Sequence, residues 1–151
     1  MGDHGKLYSR ITPEHVEAMA ELCRRGDYLL PNVTEASFLT GMPYRETCDG
    51  NYLIEMADAL CGMGARGVII TGITWDPGYT GWAGMLSGRL FSYRARKIPC
   101  SQHGTGDMFA AVTTGALTRG KPLHVAATLG AKFVEKTMAV TVSSTPFGAN
   151  F

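Results

Sequence analysis

The run from Gly67 to Gly72, with the sequence GVIITG, constrains the fold more than any other part of the chain. Its apolar and β-branched residues follow one another without the alternation of a half-exposed strand, which is typical of a central strand covered on both faces. The chain has 151 residues, of which 45% are hydrophobic, so it has the size of one ordinary domain and can bury a substantial core. The run therefore predicts a layered protein with a sheet at its centre.

Apolar periodicity and capping residues place the other elements around this strand. In chain order they are a helix from Thr12-Pro13 to about Gly26, a strand at 28–30, a short helix capped by Thr34 and ending at Gly41, a helix capped by Asp49 and ending at Gly62 or Gly64, strands at about 79–86 and 89–96 joined at Ser87-Gly88, and helices at 106–118 and 123–140. Helices alternate with strands early in the chain, and helices close it. This order predicts an α/β fold with a partly parallel sheet and flanking helices.

Charge and cysteine content exclude several classes of function. The net charge is +1 and the basic residues are scattered, so the chain lacks the electrostatic footprint of a protein that binds nucleic acid or an anionic membrane. No stretch approaches the roughly 20 apolar residues of a membrane span, and the N-terminus has no charged-then-apolar signal segment. The cysteines are far apart and form no C-x-x-C pair, so we expect reduced thiols in a cytoplasmic protein. They are Cys23, Cys48, Cys61 and Cys100.

The segment Gly62–Gly67, with the sequence GMGARG, matches the spacing of the dinucleotide fingerprint G-x-G-x-x-G. That fingerprint requires the glycines to follow a strand and open a helix, whereas here they follow a helix and lead into a strand. We interpret these glycines as the end of the helix. The sequence contains no P-loop motif, and its histidines lack the spacing of zinc ligands.

The segment His103–Asp107, with the sequence HGTGD, directly precedes the apolar run Met108–Val112. Its small residues would let backbone N–H groups approach an anion, and a helix N-terminus adds roughly half a positive charge. Such a turn can hold a phosphate, and Asp107 in the first helical turn could accept a proton from a hydroxyl nucleophile. The alternative is that Asp107 only caps the helix and the glycines make a tight turn.

Two further pairs of residues suggest ligand binding. Asn32 and Glu35 lie three residues apart at the start of a short helix, where an amide oxygen and a carboxylate would suit Mg²⁺ or its waters. As an alternative, they are an ordinary helix cap and first-turn residue. Thr71 and Gly72 end the apolar strand, which places a hydroxyl at the carboxyl end of the sheet, where open α/β folds bind ligands. A plain strand end is the alternative there.

Taken in order and spacing, these segments resemble the second half of the pyridoxal (pyridoxamine) kinases of the ribokinase-like superfamily. The segments that carry the resemblance are Met1-Gly2-Asp3 with Gly5 and Tyr8, Pro31–Glu35 with Leu39–Gly41, Thr71-Gly72, and Gly104–Asp107. The resemblance covers nearly the whole chain. It implies a ribokinase-like three-layer sandwich, of which residues 1–151 would form the C-terminal, nucleotide-binding portion.

The resemblance also implies a reaction, in which ATP and Mg²⁺ are used to phosphorylate the 5′-hydroxymethyl group of pyridoxal, pyridoxamine or pyridoxine. By motif position, Asp107 would be the base for the substrate hydroxyl, and the backbone of Gly104, Thr105 and Gly106 would form the anion hole. The other implied roles are nucleotide binding by Thr71, Gly72 and Asn32, and organisation of Mg²⁺ by Asp3 and Glu35. These roles agree with the chemistry of phosphoryl transfer, which depends on positioning and on stabilising charge.

The chain departs from the family at its start, since family members carry further sheet strands before the M-G-D segment. We therefore expect the N-terminal part of the kinase domain to be missing, and a homodimer or pairing with that missing segment through an exposed sheet edge. One alternative function is a related kinase acting on hydroxymethylpyrimidine, a branch that tends to carry Cys where this chain has Asp107. Another is a non-catalytic ATP-binding fragment that pairs with a second chain.

Overall fold

The computed structural model describes residues 1–98 and 104–140. The expectations for His103 and for the Cys100 thiol lie outside these residues. The chain divides into two compact units, one from Met1 to Ala95 and one from Arg96 to Phe151. No helix within the described ranges is both long and apolar enough to cross a membrane.

The first unit contains a small hairpin, a four-stranded sheet and three helices. The strands are β1 (Gly2–Asp3), β2 (Lys6–Leu7), β3 (Tyr28–Leu29), β4 (Gly67–Asp76), β5 (Tyr79–Leu86) and β6 (Arg89–Arg96), and the helices are α1 (Pro13–Cys23), α2 (Val33–Thr40) and α3 (Gly50–Gly62). β1 pairs with β2, and the larger sheet has the order β3-β4-β5-β6. β3 runs parallel to β4 and β5 runs antiparallel to it, which confirms the prediction of a partly parallel sheet.

The core of this unit lies between β4 and the helices. Val68 and Ile70 of β4 are fully buried in one cluster with Met56 and Leu60 of α3. Ile69, which points to the opposite face of the pleated strand, is also fully buried. Burial on both faces confirms the reading of the GVIITG run as a central strand.

Most predicted elements are present within one to three residues of their predicted bounds, two predictions need correction, and one element is additional. Asn32, not Thr34, is the N-cap of α2. β4 does not end at Gly72 but continues to Asp76, with a register shift between Thr71 and Ile73. The β1-β2 hairpin was not predicted. The glycines of the GMGARG segment do end α3, since Gly64 follows the C-cap with a φ of 115° and leads into β4.

The second unit is built on two helices, α4 (Thr105–Thr118) and α5 (Leu123–Val140). Both were predicted, and they pack closely because Gly130 of α5 lies against α4. A Cβ atom at position 130 would lie 2.5 Å from Thr113 Oγ1 and 3.0 Å from the carbonyl oxygen of Phe109. The absence of a side chain at Gly130 therefore sets the distance between the two helices.

We expect Gly130→Ala to lower the free energy of unfolding of the second unit by about 1–3 kcal/mol, because the added methyl group meets atoms of α4 that are held in the helix. Urea denaturation followed by circular dichroism would measure the change. Gly115→Ala in α4 is the matched control, since no atom lies within 4 Å of its Cβ position. The control should be neutral or stabilising by up to about 1 kcal/mol. Equal effects at the two positions would contradict the close packing.

The cysteines within the described ranges, Cys23, Cys48 and Cys61, are free thiols, as predicted. Cys48 is 2% exposed, and burial raises its pKa to about 11. At pH 8 we therefore expect its alkylation by iodoacetamide to be at least about 100-fold slower than in the urea-unfolded chain, as mass spectrometry of the Cys48 peptide would show. Equal labelling rates in the folded and unfolded chain would contradict this slow alkylation.

The raised pKa of Cys48 also predicts how stability depends on pH. Because the thiol ionises at lower pH in the unfolded chain than in the folded one, the free energy of unfolding should fall between about pH 9 and pH 11.

Candidate functional site

The N-terminus of α2 is closed by a reciprocal pair of hydrogen bonds. The Asn32 side-chain oxygen accepts a hydrogen bond from the Glu35 N–H at 2.8 Å, and the Glu35 carboxylate accepts one from the Asn32 N–H at 3.0 Å. This is a capping box, which satisfies two N–H groups that the helix itself leaves without partners. The alternative interpretation of Asn32 and Glu35, as an ordinary helix cap and first-turn residue, is thus confirmed. The same hydrogen bonds fix both side chains at the helix start.

The end of β3 joins this helix start to the middle of β4. Thr71 donates its backbone N–H to the Pro31 carbonyl oxygen at 2.9 Å, and Asn32 and Thr71 form an isolated parallel bridge. The next residue, Gly72, has a φ of 70°, a conformation that glycine adopts readily. A Cβ atom there would lie 3.9 Å from the Asn32 Cβ. Asn32, Thr71 and Gly72 therefore lie together at the point where β3 gives way to α2.

The β1-β2 hairpin docks onto the same helix start. Asn32 donates from its side-chain nitrogen to the Gly2 carbonyl oxygen at 2.9 Å, and Gly5 donates its N–H to the Thr34 hydroxyl oxygen at 2.9 Å. The ammonium group of Met1 donates to the Glu35 carboxylate at 2.6 Å. Asp3 lies between Gly2 and Gly5 in this hairpin, so the first unit brings Asp3, Asn32 and Glu35 to one region.

The two predicted metal ligands differ in how far they are already engaged. Both carboxylate oxygens of Glu35 accept hydrogen bonds from nitrogen donors, whereas the Asp3 side chain is 55% exposed and accepts one from the His4 N–H. Within residues 1–98 and 104–140, no three His, Cys, Asp or Glu side chains cluster as a metal site would require. Mg²⁺ commonly keeps several waters and takes one or two carboxylates together with phosphate oxygens. The residues present fit that mode of binding, with Asp3 as the more accessible carboxylate.

The start of α4 has the features of an anion site. Its N-cap is Gly104 in the left-handed conformation with a φ of 85°, and no side chain caps the helix from that position. Met108 makes the first intrahelical bond, to the Gly104 carbonyl oxygen at 3.0 Å, so the N–H groups of Gly106 and Asp107 have no carbonyl partner within the helix. These amides carry the positive end of the helix dipole. The arrangement suits a phosphate or a phosphoryl group in transfer.

Asp107 is not the cap of α4 but the third residue of the helix, and its side chain is exposed. Within the described part of the chain, no hydrogen bond or ion pair to its carboxylate is present. The alternative interpretation of Asp107 as the helix cap is therefore wrong. Its carboxylate is free to accept a proton from a hydroxyl group placed beside the helix start.

The predicted site residues thus fall into two groups, one in each compact unit. The first unit holds Asp3, Asn32, Glu35, Thr71 and Gly72, and the second holds Gly104, Thr105, Gly106 and Asp107. Within its own unit, each group is gathered at the start of one helix. This is the placement expected for residues that bind phosphates.

Residues 6–150 match the phosphomethylpyrimidine kinase family, which is nearly the entire chain. The chain belongs to this family. Membership establishes the fold and the general class of protein more firmly than the substrate. The match also confirms the resemblance to ribokinase-like kinases that the motifs indicated.

Individual kinases are similar to this chain over most of its length. A pyridoxine/pyridoxal/pyridoxamine kinase of Bordetella bronchiseptica is 36% identical over 132 residues, covering 84% of this chain and 45% of the relative. A hydroxymethylpyrimidine/phosphomethylpyrimidine kinase of Bacillus subtilis is 31% identical over 137 residues, covering 89% and 49%. The crystal structure of pyridoxal kinase from Lactobacillus plantarum has a TM-score of 0.88 and 33% identity, covering 99% of this chain and 55% of that one.

The chain therefore spans about half the length of the relatives that it matches. These similarities confirm the ribokinase-like α/β fold. They include both vitamin B6 and pyrimidine kinases at comparable identity.

Sequence reasoning missed the contacts that fasten the hairpin in this kinase family member. Thr34 was interpreted as a helix cap, but its hydroxyl oxygen binds the Gly5 N–H. Tyr44 was not singled out, although its ring lies so close to Gly5 that a Cβ atom there would be 2.7 Å from Tyr44 Cδ1. One sequence signal could have revealed the hairpin. That signal is Gly5, because glycine is common at the second position of a two-residue hairpin turn. In the structure both His4 and Gly5 have the positive φ that such a turn requires.

Proposed function

We propose that this chain binds ATP with Mg²⁺ and transfers its terminal phosphoryl group to the 5′-hydroxymethyl group of a B6 vitamer, namely pyridoxal, pyridoxamine or pyridoxine. The observation that carries the proposal is the start of α4. There a left-handed glycine leaves backbone amides without helical partners, and an exposed carboxylate follows within the first turn. Phosphoryl transfer needs such amides for the charge on the transferred group and a base for the attacking hydroxyl.

In this mechanism Asp107 orients the substrate hydroxyl and accepts its proton as the oxygen attacks phosphorus. The backbone of Gly104, Thr105 and Gly106 surrounds the phosphoryl group, and the Gly106 and Asp107 amides, which have no carbonyl partner within the helix, donate hydrogen bonds to its oxygens, whose negative charge is also favoured by the α4 dipole. The Thr71 hydroxyl contacts the ATP phosphates, supported by its position beside Asn32. Gly72 allows the nucleotide to approach the backbone, because no side chain stands there.

Mg²⁺, when bound, would neutralise charge on the phosphate oxygens. Asp3 would hold it directly or through water, because its carboxylate is the exposed one. Asn32 and Glu35 would accept hydrogen bonds from metal-bound waters. Their side-chain oxygens already accept hydrogen bonds in the capping box, and each can accept a further one.

The identity of residue 107 favours a B6 vitamer over a pyrimidine as substrate. The hydroxymethylpyrimidine branch tends to carry Cys at the end of the anion-hole motif, whereas this chain carries Asp107. Two of the similar proteins named above are a pyridoxine/pyridoxal/pyridoxamine kinase and a pyridoxal kinase, which supports the same choice. The pyrimidine kinase of Bacillus subtilis supports the second candidate, phosphorylation of hydroxymethylpyrimidine.

The proposal is tested by measuring binding and turnover on the same preparation. Titration calorimetry with Mg-ATP should give saturable binding at or below millimolar concentration, and omission of Mg²⁺ should weaken it. Phosphorylation of pyridoxal and of hydroxymethylpyrimidine is then assayed separately, with chromatography that resolves each phosphorylated product from its substrate. The comparison shows which of the two the chain phosphorylates. A folded chain that binds no Mg-ATP would overturn the proposal. Binding without turnover on either substrate would favour the non-catalytic ATP-binding fragment.

We also propose that the chain associates through the edge formed by β3 and α1, either with a second copy or with a segment equivalent to the unmatched part of its relatives. Within the described residues β3 has a neighbour on one side only, and α1 has no buried residue. A groove of about 420 Å³ runs beside them, lined by side chains such as Met19, Leu22 and Leu39. Leu22 is 62% exposed, which is high for a leucine on such a surface.

We expect light scattering to give a mass above the 16.2 kDa of one chain, and Leu22→Lys to shift the population toward monomer. The reason is that a charged group would then have to be buried in the apolar groove on association. Glu17→Lys, an exposed change on the same helix, is the matched control and should leave the mass unchanged. A monomeric wild-type chain would remove self-association, and pairing with a separate segment would then be tested by adding that segment.

A further inference from the structure

Thr34 is buried at the second position of α2, with 1% of its surface exposed. Its hydroxyl oxygen accepts a hydrogen bond from the Gly5 N–H, which belongs to the turn of the β1-β2 hairpin. We propose that Thr34 is a positioning residue, which holds this turn and with it Asp3 in register with the Asn32–Glu35 capping box. This inference deepens the proposed function and rests on it for the role of Asp3.

The hairpin cannot hold its position through its own strands. β1 and β2 have two residues each and pair only through Gly2 with Leu7 and Asp3 with Lys6. A hairpin of this length is not stable in isolation, so its position depends on contacts with the rest of the unit. Asp3 does not supply them, because its side chain is half-exposed and bonded locally to His4.

The contacts that fix the hairpin come from α2 and from the segment that follows it. The Asn32 amide holds the carbonyl oxygen of Gly2 on one side of Asp3, and the Thr34 hydroxyl holds the N–H of Gly5 on the other. The Tyr44 ring closes over Gly5, where no Cβ could fit without a shift. Asp3 therefore lies between two hydrogen bonds to one helical turn, and loss of the Thr34 bond leaves the Gly5 side of the hairpin turn without a hydrogen bond to α2.

Thr34 differs in this respect from the other buried hydroxyl of the helix. Ser37 donates to the carbonyl oxygen of Val33 within α2 and lies 3.4 Å from the Tyr52 hydroxyl of α3, so its contacts stabilise the helix and its packing without reaching the hairpin. The two hydroxyls have similar burial and belong to the same helix. They therefore form a matched pair, of which only Thr34 is expected to affect Asp3.

The test compares Thr34→Val, Thr34→Ser and Ser37→Ala with the wild-type chain. Valine keeps the shape of threonine but removes the acceptor, so hydrogen exchange of the Gly5 amide, measured by NMR, should be about tenfold faster or more. Mg²⁺-dependent ATP affinity should fall by about fivefold to tenfold, as the Asp3 carboxylate loses its fixed place. Thr34→Ser keeps the oxygen and should stay within about twofold of wild type in both measurements, as should Ser37→Ala.

Two results would overturn the inference. Unchanged Gly5 exchange in Thr34→Val would mean that the hydrogen bond does not hold the turn. Faster exchange with unchanged Mg²⁺-dependent affinity, in a chain whose wild type binds Mg-ATP, would mean that the turn does not position Asp3 for the metal. Absence of Mg-ATP binding in the wild type would instead contradict the proposed function. The exchange rate of the Gly5 amide would still decide whether Thr34 holds the turn.

Discussion

Asp107→Asn is expected to lower the rate of pyridoxal phosphorylation by about two to four orders of magnitude while leaving the affinity for Mg-ATP within about twofold. Asparagine keeps the size and shape of the side chain but cannot accept the proton of the attacking hydroxyl. The backbone amides at the start of α4, which we propose bind the phosphoryl group, are unaffected by the change. Initial rates at saturating ATP, with calorimetry on the same variant, would separate turnover from nucleotide binding.

Asp58→Asn provides the control for the loss of one negative charge. Asp58 is exposed on α3 and belongs to no part of the candidate site, so its variant should keep wild-type turnover and affinity. If Asp107→Asn instead weakened Mg-ATP binding strongly but left the turnover rate at saturating ATP nearly unchanged, Asp107 would be a nucleotide or metal ligand rather than the base. If neither turnover nor binding changed, the start of α4 would not be the site of chemistry.

The elements that the sequence predicted correctly are those that local physical rules determine. α1 begins at Pro13 after its N-cap Thr12, and α3 begins directly after its N-cap Asp49, because these residues are strong helix-start signals. The β5-β6 hairpin was placed at Ser87-Gly88, and both residues have the positive φ that its tight turn requires. Each of these signals acts within a few residues, so a single sequence carries it in full.

The cap of α2 was predicted incorrectly because two suitable residues compete for it. Asn32 and Thr34 can both accept a backbone N–H, and Thr34 lies nearer to the apolar part of the helix. Asn32 takes the position because it also bridges to β4 and donates to Gly2, contacts with residues 30 or more positions away. A local rule cannot include such distant contacts.

The end of β4 was misplaced for a related reason. Gly72 follows an apolar run and resembles a terminator, yet the strand continues because residues 79 and beyond pair with it past a register shift. The first register shift falls directly after Thr71, so the part of β4 beyond it pairs with β5 in a different register. The candidate site residues stand in short motifs that the sequence shows directly, whereas the role proposed for Thr34 depends on where the hairpin docks.

Gly84→Ala is expected to lower the free energy of unfolding of the first unit by about 3 kcal/mol or more. A Cβ atom at this position would lie 2.6 Å from Ile69 Cδ1, 2.7 Å from the Val68 carbonyl oxygen and 2.8 Å from Phe91 Cε2. The Ile69 side chain could move only within a fully buried layer, and the Val68 oxygen belongs to the backbone of the central strand. The contact with the Val68 oxygen cannot be relieved without separating β5 from β4.

That separation would reach the candidate site, because β4 carries Thr71, whose N–H is bonded to Pro31 at the end of β3. Urea unfolding monitored by tryptophan fluorescence measures the loss, and we expect the midpoint to fall sharply while Gly78→Ala stays within about 0.5 kcal/mol of wild type. The control suits this purpose because the nearest atom to a Cβ at Gly78, a carboxylate oxygen of Asp76, is at an ordinary 3.5 Å. If Gly84→Ala were as stable as its control, the close pairing of β4 and β5 would be wrong, and with it the support that holds Thr71 beside Asn32.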